Sequence, residues 1–226
     1  MRINKHIASL GIATRKDADI LVEKGLVMIN GRRAVLGDKV GPTDTVAVRH
    51  HTAKTYRYFA YHKPIGVMTH SPQYGEKDIT SSVPIQGVFP VGRLDKRSSG
   101  LIILTDDARI TDRLLSPKYA HDKEYRVDCA SALPRHFKEM MECGVDIGGY
   151  ITKPCTVELR GEKSFLITLT EGKKHQIRRM CDALKAPALK LERVRILNIK
   201  LGNLKPNAYR TIEGIERERF LKTLGL

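Results

Sequence analysis

The 226-residue chain carries 40 Lys and Arg against 25 Asp and Glu, a formal charge of +15, with 41% hydrophobic and 29% charged residues. That length fits one large domain or two small ones, and the composition excludes wholesale disorder. No apolar run approaches the ~20 residues that span a bilayer, and Met1-Arg2-Ile3-Asn4-Lys5-His6 lacks the apolar stretch of a secretory signal. A cytoplasmic protein with no membrane partner is expected. In chain order, Ile3, Ile7 and Leu10 recur at helical spacing, with Gly11 as a stop. Thr14-Arg15-Lys16-Asp17 reads as the capped start of a second helix, whose apolar face is Ala18, Leu21 and Val22 and which Gly25 closes. Val27-Met28-Ile29, Asn30-Gly31 and Arg32-Arg33-Ala34-Val35 form a hairpin signal, because Asn-Gly tolerates the positive φ of a type I′ turn. Gly41-Pro42-Thr43-Asp44 turns the chain into Thr45-Val46-Ala47-Val48.

A polar stretch from Arg49 to Thr55 follows, and residues 49–58 are expected to be a linker between a first domain, 1–48, and a second, 59–226. In the second domain Leu101 to Leu104 reads as a buried strand. A helix follows Thr105-Asp106-Asp107 with Ile110, Leu114 and Leu115. Tyr125-Val127-Cys129 and Phe165-Ile167-Leu169 alternate as half-buried strands. Further helical patterns run from His175 to Leu184 and from Glu213 to Leu224. Strands and helices do not alternate regularly, and neither G-x-G-x-x-G nor G-x-x-x-x-G-K-[ST] occurs. The fold expected is therefore α+β, with a mixed, mainly antiparallel sheet, rather than a doubly wound nucleotide-binding fold.

The charge points to a polyanionic partner, nucleic acid above all. It is spread along the chain: residues 1–60 hold 11 basic and 5 acidic residues, and residues 61–226 hold 29 and 20. Cys129, Cys143, Cys155 and Cys181 are widely spaced without a C-x-x-C pair. Neither a zinc site nor a disulfide framework is indicated, and reduced thiols are expected.

The first module is disproportionately basic, through Arg2, Lys5, Arg15, Lys16, Arg32 and Arg33. The run Arg2 to Ala18, followed by Gly25-Leu26-Val27-Met28-Ile29-Asn30-Gly31, resembles the S4 domain, an RNA-binding module. The resemblance implies that Arg15 and Lys16 face RNA, at a helix start where free amides and the helix dipole also favour phosphate. Arg2 and Lys5 join them as RNA-binding candidates. S4 modules occur in several unrelated RNA proteins, so they indicate a ligand class and not a chemistry.

In the second domain Asp95 sits in the loop Gly92-Arg93-Leu94-Asp95-Lys96-Arg97-Ser98-Ser99-Gly100, ahead of the buried strand. A lone Asp in a polar loop is commonly a turn or capping residue. Here flanking cations favour its ionised form, and an ionised carboxylate can act at a sugar anomeric carbon without a separate activating base. Further on, Lys173, Lys174, His175, Arg178 and Arg179 crowd a helix start. Cations there oppose the helix dipole unless a phosphate or an internal carboxylate lies nearby. On that helix Ile177, Met180, Cys181 and Leu184 form the apolar face.

Four motifs occur in order: Lys63-Pro64-x-Gly66; Gly92-Arg93-Leu94-Asp95 with Ser98-Ser99-Gly100-Leu101; Lys123-Glu124-Tyr125-Arg126-Val127; and Gly172-x-x-His175-Gln176-Ile177-Arg178-Arg179-Met180. With the first module they resemble, over essentially the whole chain, the pseudouridine synthases of the RsuA branch, which carry an N-terminal S4 domain. The resemblance implies that Asp95 is the catalytic aspartate, that Tyr125 stacks on a target base extruded from the RNA, and that Arg178 pairs with the catalytic carboxylate. It makes Arg93, Lys173, Lys174, His175 and Arg179 RNA-binding candidates. Other members often carry Asn-Arg where this chain has His175-Gln176, so His175 is not expected to be a catalyst. The Lys63-Pro64-Ile65-Gly66 turn is expected to be structural. The reaction implied needs no metal, redox cofactor or nucleotide, and no motif for one is present. Segments around Lys153-x-Cys155-x-Val157, Met180-Cys181 and Leu189 to Asn198 look most like members acting on large-subunit (23S) ribosomal RNA. Small-subunit (16S) ribosomal RNA and a non-catalytic RNA-binding assembly factor are the alternatives. A monomer is expected.

Overall fold

Apolar spacing and local caps position the first elements. The computed structural model describes residues 1–49, 55–70 and 77–226. By internal contacts the chain divides into two units: Met1–Tyr56 with Asp107–Thr111 and Leu226, and Arg57–Asp106 with Asp112–Gly225. In the first unit α1 spans Ile3–Ser9 and α2 spans Arg15–Glu23. Thr14 caps α2, its hydroxyl accepting from the Asp17 amide, a cap worth about 1 kcal/mol. Strands β1 (Val27–Ile29), β2 (Arg32–Arg33) and β3 (Val46–Val48) form an antiparallel sheet with β1 in the middle. Asn30 and Gly31 have φ of 48° and 80°, as the type I′ reading requires. Ile3, Ile7, Ala18, Leu21, Val22, Val27 and Ile29 form the core. Leu10 is not part of it and is 55% exposed. The regular helix ends at Ser9, Leu10 is its C-cap, and Gly11 at φ 75° turns the chain away immediately after it.

Residues 50–54 of the expected linker lie outside the described residues. Its far end is not a linker: Tyr56 and Tyr58 are buried, and Arg57 donates its amide and its Nε to the Asp106 carboxylate.

The second unit is built on one large sheet. Its elements are β4 (Tyr58–Lys63), α3 (Ile79–Ser82), β5 (Phe89–Val91), β6 (Ser99–Thr105), α4 (Arg109–Leu115, begun in the first unit), β7 (Lys123–Cys129), α5 (Phe137–Cys143), β8 (Thr156–Leu159), β9 (Ser164–Leu169), α6 (Gln176–Ala183), β10 (Ala188–Ile196), β11 (Ile199–Lys200), β12 (Tyr209–Thr211) and α7 (Gly214–Thr223). The strand order is β12-β4-β6-β10-β7-β9-β8, with β5 paired to β6 and β11 to β10. The β6–β10 pair is parallel and the other strand pairs are antiparallel. This is the mixed, mainly antiparallel α+β fold expected from the sequence.

Two apolar clusters cover one face of the sheet. Ile102 and Leu104 of β6 pack with Tyr61, Ile79 and Val83 at one side. Val127, Phe165, Ile167 and Leu191 pack with Phe137 of α5 and with Ile177, Met180 and Cys181 of α6 at the other. Those α6 residues are the apolar stripe read from the sequence, except that Leu184 is only partly buried. Ile110 and Leu114 of α4 are buried, whereas Leu115, at its last position, is 39% exposed. The regular helix also begins one residue later than expected, because His175 adopts φ 54° and serves as its N-cap.

Candidate active site

Asp95 lies in the loop between β5 and β6, and the chain fixes that loop at nearly every residue. Gly92 turns it at φ 81°. The buried Thr69 hydroxyl donates to the Leu94 carbonyl at 2.8 Å and accepts from the Leu94 amide at 3.1 Å. The Gly66 amide donates to the Lys96 carbonyl at 2.8 Å, and the Ser98 amide to the Asp95 carbonyl at 3.0 Å. From α6, Arg178 Nη2 donates to the Arg97 carbonyl at 3.0 Å, and its Nη1 to the Ala188 carbonyl at 2.8 Å. Backbone held at this many points presents a side chain in one place, the pre-organisation a catalytic group requires.

The resemblance implied a direct Arg178–Asp95 pair, and the structure departs from it. Both terminal nitrogens of Arg178 are taken up by backbone carbonyls, one of them two residues beyond Asp95. Arg178 therefore holds the loop that carries the carboxylate. The side chain that approaches Asp95 is His175, with Nε2 3.6 Å from Oδ1. Its backbone is left-handed at φ 54°, a region sparsely populated outside glycine and asparagine. The internal carboxylate demanded by the basic helix start is thus present, and a second one supports it. Glu171 is buried and accepts from the Tyr150 hydroxyl, the Lys153 amide and Gln176 Nε2. Burial disfavours its charge, yet those bonds and the nearby Lys173 hold its carboxyl below the ordinary value.

The sheet supplies the floor. Lys63 of β4 pairs with Gly100 of β6, Gly100 with Arg193 of β10, Arg193 with Tyr125 of β7, and Tyr125 with Ile167 of β9. Cross-strand partners project to the same face. Lys63, Arg193 and Tyr125 therefore share the face that bears the two apolar clusters. Gly100 at φ 112° leaves the row bare where β6 and β10 meet. Lys63 is fully buried, its ammonium donating to the Pro64 and Val67 carbonyls at 2.9 and 2.8 Å. Burial pushes its pKa down to about 8; the Asp95 charge pulls upward and the Arg193 charge adds to the depression. Lys63, Asp95 and Arg193 are thus electrostatic neighbours.

Buried polar atoms without a partner among the described residues include Ser98 Oγ, Arg178 Nε and Arg193 Nη2. They belong to the Asp95 loop, to the helix that holds it and to the floor beneath. Unspent hydrogen-bonding capacity at one location is a mark of a site that takes a ligand. The remaining basic candidates lie outside it. Arg93, Lys173, Lys174 and Arg179 are exposed around the loop and the α6 start, and Arg2, Lys5, Arg15 and Lys16 are exposed on the first unit. Among the described residues no cluster of three or more His, Cys, Asp or Glu is placed to hold a metal ion. No described helix is long and apolar enough to cross a membrane.

Residues 57–183 match the family model for RNA pseudouridylate synthase. The chain belongs to that family. This synthase is 38% identical over 219 residues to the dual-specificity RNA pseudouridine synthase RluF of Escherichia coli strain K12, covering 94% of this chain and 75% of the relative. It is 32% identical over 216 residues to the ribosomal large subunit pseudouridine synthase B of Bacillus subtilis strain 168, covering 90% and 88%. A crystal structure of a pseudouridylate synthase matches it with a TM-score of 0.70 at 26% identity, covering 99% of each chain. The protein is an isomerase of the RsuA branch, as the four ordered motifs implied. Sequence reasoning left three features of the synthase site unseen. In the sequence Lys63 reads only as part of a turn, Arg193 only as a clue to substrate, and Arg178 rather than His175 as the group facing Asp95. Neither Lys63 nor Arg193 stands out locally: Lys63 follows His62 at the end of β4, and Arg193 shares β10 with Lys190, Glu192 and Arg195, so only the strand pairing brings them to the site.

Proposed function

We propose that this synthase isomerises uridine to pseudouridine in ribosomal RNA, that of the large subunit, with Asp95 as the catalytic carboxylate. In the reaction the N1–C1′ bond of uridine breaks, the uracil turns, and C5 bonds to C1′. The C5 proton is lost and N1 ends protonated, so the product is an isomer and nothing is consumed. The target nucleotide leaves its stack, at a cost of a few kcal/mol, and Tyr125 offsets part of this by stacking, worth ~1–3 kcal/mol per base. The observation that carries the reading is the clamped loop. Asp95 is held by bonds from Thr69, Gly66 and Arg178 to the residues around it, with His175 3.6 Å from its carboxylate. The name of the Bacillus subtilis relative supports the large-subunit target. The exposed basic residues of α6 and of the first unit, read as an S4 domain, hold the surrounding RNA through phosphate contacts.

The test is pseudouridine mapping of ribosomal RNA from cells with and without the protein, repeated with Asp95→Asn. One or more large-subunit sites vanish in the deletion and are not restored by the variant, which still binds RNA. Restoration of those sites by Asp95→Asn overturns the catalytic role. Loss of sites only from the small subunit overturns the target.

A further inference from the structure

Arg193 is a buried cation whose hydrogen bonds are incomplete. It is 4% exposed. Its Nε donates to the Leu101 carbonyl at 2.7 Å, and its Nη2 has no partner among the described residues. Leaving a buried charged donor unpaired costs more than leaving a neutral one, so a residue kept in this state has a use for the free N–H. Asp95 does not meet that need, because among the described residues the basic side chain within 4.0 Å of its carboxylate is His175. Position narrows the ligand. Arg193 lies in the register row between Gly100, which has no side chain, and Tyr125, which offers an aromatic face. A phosphate with its hydration shell does not suit a group buried this deeply. A flat heterocycle lying against Tyr125, with a carbonyl edge toward β10, does.

We propose that Arg193 is a catalytic residue, whose Nη2 donates to a carbonyl oxygen of the target uracil and stabilises the negative charge on the base while it is detached from the sugar. When the N1–C1′ bond breaks, its electron pair stays with the uracil and spreads onto the carbonyl oxygens. When C5 attacks C1′ a pair returns to the new C–C bond, and the C5 proton leaves to water as N1 takes one up. A guanidinium fixed in a water-poor site favours the charged intermediate over the neutral nucleoside, which is electrostatic stabilisation by a preorganised donor. The inference rests on the reading of Asp95 as the reacting carboxylate.

The experiment compares Arg193→Gln, Arg193→Lys and Asp95→Asn with the wild type. The substrate is total RNA from cells lacking the enzyme, grown with 5-tritiated uridine, so that each isomerisation releases tritium to water. Single-turnover rates, RNA dissociation constants and thermal midpoints are measured for each protein. Arg193→Gln keeps a donor for the Leu101 carbonyl and loses the charge. It is expected to bind RNA within threefold of wild type and to react roughly 100-fold more slowly. Arg193→Lys keeps the charge without the two-pronged geometry and falls between. A folded Arg193→Gln reacting within threefold of wild type overturns the proposal. So does a rate loss matched by an equal loss of RNA affinity, or failure of both Arg193 variants to fold, since Arg193 then only clamps β6 to β10. Full activity in Asp95→Asn overturns the site itself, whereas an inactive Asp95→Asn beside an active Arg193→Gln overturns Arg193 alone.

Discussion

Gly100 is where the sheet is most sensitive to a single methyl group. A Cβ there lands within contact distance of the Arg193 backbone, 2.9 Å from its carbonyl carbon and closer still to its N and O atoms. Neither strand can rotate a side chain away, because the obstacle is main chain. Gly100 also sits at φ 112°, where a side chain is strained. Overpacking costs about 1–3 kcal/mol and a disfavoured backbone about 1–3 kcal/mol. Gly100→Ala should therefore lose about 4 kcal/mol, at the middle of the combined range. At roughly 3 °C per kcal/mol for a chain of this size, the melting temperature should fall by about 12 °C. Gly66 provides the control. It has φ 88° with nothing within 4 Å of an added Cβ, so Gly66→Ala carries the conformational cost alone. The assay is thermal unfolding followed by circular dichroism, with tritium release at a temperature where both variants are folded. The parallel β6–β10 pair joins Lys63 and the Asp95 loop to Arg193 and Tyr125, so Gly100→Ala should lose isomerisation as well as stability. If it melts within about 3 °C of wild type and isomerises normally, the register argument for the site is wrong.

Thr69→Val leaves the Leu94 amide and carbonyl without their buried partner. It should cost about 1–3 kcal/mol and slow single-turnover isomerisation while RNA affinity stays unchanged, which filter binding beside the rate assay checks. Lys63 makes stability depend on alkaline pH. Its folded pKa is about 8 against an ordinary 10.5, so between those values the unfolded chain holds a proton that the folded chain has shed. Stability contributed by this residue is therefore lowest below pH 8 and rises as pH climbs toward 10.5, by up to about 3 kcal/mol. Denaturant unfolding at pH 7.5 and pH 10 should show that gain in wild type relative to Lys63→Met, and equal changes in the two proteins would contradict it. Replacing Arg15 and Lys16 together with Ala should weaken RNA binding at low salt. It should also flatten the plot of log affinity against log salt by about 1.5, the counterion release expected of two phosphate contacts. An unchanged slope would remove the first unit from the RNA interface.

Much of this was legible from local pattern. Thr14 and Asp17 mark the start of α2, Asn30-Gly31 fixes a turn that only positive φ allows, and the 3.6-residue spacing of Ile177, Met180 and Cys181 faces α6 inward. These features are set within one or two turns of chain, where period and turn chemistry dominate. Leu10 and Leu115 show where that reasoning stops: each continues an apolar period at the point where its helix ends, and periodicity does not report the end. Arg178 shows a different boundary. Its charge and its nearness to Asp95 follow from the motif, but not the choice between the carboxylate and two carbonyls, because the Arg97 and Ala188 carbonyls reach it only after β6 and β10 have paired.

The same pairing accounts for the buried cations. Lys63 and Arg193 are 130 positions apart and come into one row only because each pairs with Gly100. Two like charges brought together in a sheet interior repel one another and lose hydration, and the depressed Lys63 pKa records both. An arrangement of this kind persists when an opposing charge is held nearby, and the chain supplies one in Asp95, on a loop pinned from Thr69, Gly66 and Arg178. Neutralising Asp95 should therefore do more than stop the reaction. It removes the attraction that keeps Lys63 protonated, so Asp95→Asn should lower the Lys63 pKa below about 8 and move the onset of the alkaline stability gain to lower pH. A denaturation series across pH 6–9 reads this shift without any RNA present. An onset that does not move would mean that the carboxylate and the ammonium are not coupled, and that the loop is held by its backbone bonds alone.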